Sequence, residues 1–136
     1  MRFIDKEIWD SYYKFCFERN PWDKVISWYY WTYKSEPRPS ISDFVQSTEA
    51  NIIKGFELYT CFSNIVVDKV FLYEDLDEAM NQIRKQINLN ETPILPRAKF
   101  GYRKGKRSYQ DIFSEMDKER IKRVYASEIV HFNFEW

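Results

Sequence analysis

The stretch Phe15-Cys16-Phe17-Glu18-Arg19-Asn20-Pro21-Trp22-Asp23-Lys24-Val25-Ile26-Ser27 carries the decisive reading of this chain. From Tyr13 to Glu18 apolar and polar side chains alternate, the period of a half-buried strand. The alternation then stops. Asn20 is a good N-cap, and Pro21 suits the first helical position, where its missing N–H would have no intrahelical partner in any case. Trp22, Val25, Ile26, Tyr29 and Tyr33 recur at helical spacing, which predicts a helix from Pro21 to about Tyr33. Strand, short turn and helix form one unit.

Upstream, Asp5 to Ser11 reads as a short helix. Downstream, Ser35 to Ser40 carries two prolines and reads as a loop, and Ser40 with Asp43 makes a capping-box-like start for a helix through about Thr48. Asn51 to Ser63 is ambiguous. Ile65 to Tyr73 is rich in β-branched and aromatic residues and reads as one strand or two short ones, closing at Glu74 and Asp75. Asp75 is placed to cap a helix running to Ile87, with Leu76, Ala79, Met80, Ile83 and Ile87 on its inner face. Residues 88–108 look irregular, with two prolines and two of the three glycines of the chain. Ser114 and Asp117 then open a last helix to about Val130. This order predicts an α/β fold, a short parallel sheet flanked by helices, with a helical crossover joining the parallel pair.

At 136 residues the chain fits a single domain, 1–136. Hydrophobic residues make up 44% and aromatics 19%, with 21 basic against 21 acidic side chains. Such a composition excludes a disordered tail and exerts no overall pull toward nucleic acid, so any electrostatic recognition has to be local. Cys16 and Cys61 are far apart and form no CxxC pattern; both are expected reduced, with Cys16 buried. No apolar run approaches a membrane span and no signal peptide opens the chain, so the expected setting is soluble and cytoplasmic. Aromatic surface on this scale wants partners, which points to an oligomer or a missing half.

Three constellations can carry chemistry. Arg19 stands at the carboxyl end of the first strand, where ligands of open α/β sheets bind, and Ser27 lies eight residues on, along the following helix. A helix start supplies N–H groups and a positive dipole suited to phosphate, and arginine adds a fixed fork of donors. The alternative is a surface ion pair between Arg19 and Asp23 with Ser27 idle. The second is Lys99-Phe100-Gly101-Tyr102-Arg103-Lys104-Gly105-Lys106-Arg107, a basic run without an acid, which reads either as an anion loop or as a solvated loop. The third is Tyr73-Glu74-Asp75-Leu76, an aromatic at a strand end beside a helix start, with packing and capping as its plainer explanation. The lone histidine, His131, assembles no triad or metal set, and no metal site is expected.

Together these pieces resemble the PAPS-dependent sulfotransferase superfamily. Arg19-Asn20-Pro21-Trp22-Asp23-Lys24-Val25-Ile26-Ser27 is similar to its Arg-Asn-Pro-x-Asp-x-x-x-Ser segment, whose arginine and serine hold the 3′-phosphate of PAPS. Tyr73-Glu74-Asp75-Leu76 resembles the motif whose tyrosine lies near the adenine. Arg103-Lys104-Gly105 resembles the loop that closes on the 3′-phosphate, and the ending from Tyr109 to Trp136 resembles bacterial-type members.

The resemblance implies a P-loop-like fold, PAPS or its product PAP as the nucleotide, and Arg19, Ser27, Tyr73, Arg103, Lys104 and Gly105 as its contacts. It also implies, for the full enzyme, sulfuryl transfer to an acceptor hydroxyl, by analogy that of a carbohydrate. Nothing in the chain matches the family's 5′-phosphosulfate loop, which implies a C-terminal portion inactive in transfer by itself. The competing expectation is a non-catalytic nucleic-acid-binding or assembly domain.

Overall fold

The computed structural model describes residues 4–91, 93–95 and 107–136. Among these residues the fold is mixed α/β and mostly helical, with a short two-stranded parallel sheet and a small antiparallel hairpin. In chain order the elements are α1 (Lys6–Ser11), β1 (Phe15–Glu18), α2 (Pro21–Thr32), α3 (Ile41–Gln46), β2 (Thr60–Cys61), β3 (Asn64–Ile65), β4 (Lys69–Leu72), α4 (Leu76–Gln86), α5 (Glu115–Val124) and α6 (Ala126–Phe132). Two compact units result, Met1–Glu18 with Glu57–Leu95, and Arg19–Phe56 with Pro96–Trp136.

In the first unit β1 and β4 pair in parallel, from Phe15 opposite Lys69 to Glu18 opposite Leu72. A parallel pair cannot be closed by a tight turn, so a long crossover between these strands is obligatory. Phe71 is buried with Ala79 and Ile83 of α4, and Phe17 and Met80 pack around them. The Phe17 and Phe71 rings, opposite one another across the pair, lie 5.8 Å apart. Such cross-strand aromatic contacts are the usual unit of sheet stabilisation. The start of β1 is tied down by Asp68, which accepts from the Lys14 backbone N–H at 2.7 Å and pairs with its ammonium at 3.0 Å. At the carboxyl end Tyr59 donates to the buried carboxylate of Glu18 at 2.8 Å.

The second unit has the larger core, formed by Trp22, Val25, Ile26 and Tyr29 of α2 with Phe44, Val45, Phe113, Ile121 and Tyr125. Three of its aromatic polar atoms find backbone acceptors in other segments: Trp22 Nε1 donates to the Lys118 carbonyl at 3.2 Å, Tyr29 to the Pro39 carbonyl at 2.8 Å, and Tyr125 to the Ala50 carbonyl. Asp117, buried at 1% exposure, closes the capping box of α5 with Ser114 and also accepts from Ser42 of α3 at 2.7 Å.

Several local expectations are corrected. The ambiguous stretch 51–63 is entered through a 3-10 turn at Glu49–Asn51 and holds another at Phe56–Leu58 and then β2, each too short to leave a periodic signature. Asp75 does not cap α4; a 3-10 turn over Tyr73–Asp75 leads into the helix instead. Ile87 falls at the C-cap of α4 and is exposed, because the helix stops one residue before it. The last helix is two, broken at Tyr125, whose backbone (φ −107°, ψ 27°) leaves the helical region where its fully buried ring and anchored hydroxyl hold it. Cys16 is only partly buried, and both cysteines are free.

Candidate functional site

Arg19 directly follows β1 and precedes the cap of α2. Its Nε donates to Asp23 Oδ2 at 2.7 Å, and Nη2 donates to the same oxygen. Both side chains are about a quarter exposed, at 26%. Asp23 stands in the first turn of α2, where a carboxylate complements the positive end of the helix dipole. The acidic partner foreseen as the plainer alternative therefore exists, half-buried rather than on the open surface. It engages two of the five N–H donors of a guanidinium.

Asn20 determines what the helix start can offer. Its Oδ1 accepts from the N–H groups of Trp22 at 3.1 Å and Asp23 at 3.4 Å, and its carbonyl accepts from Lys24 N–H at 2.8 Å. Pro21 has no N–H. The first-turn donors that the sequence reading assigned to phosphate are thus already engaged, because an Asn cap exists to satisfy them. What the helix start has left to offer an anion is its side chains and its dipole. Ser27, further along α2, is partly exposed and makes no side-chain hydrogen bond among the described residues.

Tyr73 belongs to the other unit, at the carboxyl end of β4, and is 45% exposed. Arg103, Lys104 and Gly105 lie outside the described residues, as does all of the basic run except Arg107, which is exposed.

Downstream of that run, Ser108 and Asp111 form a capping box that positions Tyr109. The Tyr109 hydroxyl accepts from Asn20 Nδ2 at 3.4 Å, and the Glu135 carbonyl accepts from the same amide at 3.1 Å. Trp136 packs edge-on against Trp22 and Tyr109, at 5.4 and 5.3 Å, with the Lys118 ammonium 4.9 Å from its ring centroid. The sequence reading missed this convergence on the residue after Arg19. Only the aromatic ending hinted at it, since no spacing rule joins residues so far apart.

The remaining candidates are quiet. Burial and the neighbouring Glu18 carboxylate push the Cys16 thiol up to about 11, the opposite of an activated nucleophile. His131 packs against Phe56 and Phe132. Among the described residues no group of three or more His, Cys, Asp or Glu could hold a metal, and no helix is long and apolar enough to cross a membrane.

The class the fold defines is thus a mostly helical α/β protein built on a β1–α2 turn with a parallel partner strand. An uncharacterized protein of Archaeoglobus fulgidus is 36% identical over 93 residues, covering 65% of this chain and 78% of the archaeal one. The chain belongs to the same family as that protein. No protein-family model and no solved structure matches the chain.

Proposed function

We propose that this chain binds the 3′-phosphoadenosine portion of PAPS or PAP, as the C-terminal part of a P-loop-like sulfotransferase fold. The observation that carries the reading is Arg19, a half-buried cation immediately beyond the carboxyl end of a parallel strand, opening the helix that bears Ser27. That is the end of an α/β sheet at which ligands bind. In this reading Arg19 supplies charge-assisted hydrogen bonds to the 3′-phosphate and Ser27 a short hydroxyl donor. Arg103 and Lys104 add charge, Gly105 a backbone donor, and Tyr73 an aromatic face for adenine. These last roles rest on the sequence resemblance.

The residues present suit binding better than chemistry. Arg19 and Ser27 carry donors of the kind a phosphate takes, whereas no stretch of the sequence resembles the family's 5′-phosphosulfate loop, so in this reading transfer to an acceptor hydroxyl, by analogy on a carbohydrate, would need that loop from elsewhere. When bound, the donor nucleotide supplies the activated sulfuryl group, and the residues named here hold its far end.

Calorimetric titration with adenosine 3′,5′-bisphosphate and with 5′-AMP tests the reading. One-site binding that prefers the bisphosphate and disappears in Arg19→Ala is expected. Equal binding of both, or unchanged affinity in Arg19→Ala, would overturn it. Affinity that instead grows with oligonucleotide length and falls steeply with salt would favour a nucleic-acid footprint.

A further inference from the structure

The side chain of Asn20 joins three segments of the second unit. Its carbonyl end holds the first turn of α2, while its amide end reaches Tyr109 and Glu135, 89 and 115 residues away. A cap needs only the oxygen, and Ser and Asp provide that about equally well. The amide nitrogen has a separate use. It fastens the turn containing Arg19 to two segments that have anchors of their own: Tyr109 sits in a capping box, and the chain at Glu135 is held by the following Trp136 ring between Trp22 and Tyr109.

We infer that Asn20 is a positioning residue for Arg19. Through its amide it locks the turn on which the guanidinium is mounted, and through its oxygen it places Asp23, which orients that guanidinium. The inference rests on the nucleotide reading above for its consequence, and on the hydrogen-bond pattern for its cause. Binding groups perform only as well as their supports hold them, so a loosened turn weakens anion capture while leaving every contacting residue in place.

The test uses the whole chain and two variants. Asn20→Ser keeps an N-cap oxygen but is too short to reach Tyr109 and Glu135; Tyr109→Phe removes one acceptor and leaves the cap untouched. Adenosine 3′,5′-bisphosphate and 5′-AMP are titrated calorimetrically, and amide hydrogen exchange is followed in each protein without nucleotide. The expected result is a loss of about five- to tenfold in bisphosphate affinity in Asn20→Ser, a smaller loss in Tyr109→Phe, and little change for 5′-AMP. Exchange should quicken around residues 107–113 and 133–136 while the α2 amides stay protected.

Wild-type affinity in Asn20→Ser, or exchange that quickens through α2 itself, would overturn the inference, the latter by reducing Asn20 to a helix cap. If the unaltered chain shows no preference for the bisphosphate, the nucleotide reading fails and the positioning role fails with it. The exchange data then still report whether the tether exists, which separates the two failures.

Discussion

Tyr59 donates its phenolic hydrogen to the carboxylate of Glu18 at 2.8 Å, at the point where β1 ends, with both side chains at most 5% exposed. Burying a carboxylate is costly unless it is hydrogen-bonded, so this bond offsets much of the cost of placing an acid at the end of the strand. Tyr59→Phe is expected to cost about 1–3 kcal/mol, read from the urea midpoint at unchanged m-value.

Glu128 is the converse case. It is fully buried on α6, and neither carboxylate oxygen has a hydrogen-bond partner among the described residues. Replacing an uncompensated buried carboxylate with an apolar side chain of similar volume relieves a desolvation cost. Glu128→Met should therefore stabilise the protein, by about 1–3 kcal/mol, measured as a rise in Tm. A fall in Tm would show that Glu128 has a compensating interaction.

The hairpin joining β2 and β3 turns through Phe62 and Ser63, both at positive φ (48° and 64°). Two-residue hairpin turns of this hand favour Asn-Gly, because non-glycine residues carry a steric penalty there. Phe62→Asn combined with Ser63→Gly should add about 1 kcal/mol of stability in denaturant unfolding.

Asp68 lies below the ordinary carboxylate value because it accepts from the Lys14 backbone, and then from the Lys14 ammonium. A group whose folded pKa is depressed contributes stability above its unfolded value and loses that contribution as pH falls through the folded one. Asp68→Asn should accordingly remove part of the acid limb of the stability profile below about pH 4, with little effect on its shape near neutrality.

The two cysteines should differ sharply toward alkylating reagents. Cys61 is exposed, whereas Cys16 is partly buried with its thiol pushed up to about 11. Because the thiolate is the reacting species, iodoacetamide at pH 8 should label Cys61 first, with Cys16 at least about tenfold slower by mass spectrometry.

What could be read from the sequence was local. The alternation before Glu18, the Asn20 cap with Pro21 after it, and the Ser40 and Ser114 caps each act within one turn of helix or one strand, so short windows contain them. The Arg19–Asp23 pair was legible for the same reason, being one helical turn long. Asp75 misled because a 3-10 turn consumed the residues expected to start the helix, and a short window cannot tell the two starts apart.

The sequence by itself determined the β1–α2 unit, the parallel pairing expected of a strand, crossover and strand, and the choice of Arg19 and Ser27 as candidates. Periodicity and capping are properties of neighbouring residues. Only the tertiary structure decided that Asn20 reaches Tyr109 and Glu135, that Tyr125, anchored to Ala50, breaks the last helix, and that Tyr59 supports Glu18. Those are contacts between residues distant in sequence, whose energies depend on which segments burial brings together, and no local pattern encodes that choice.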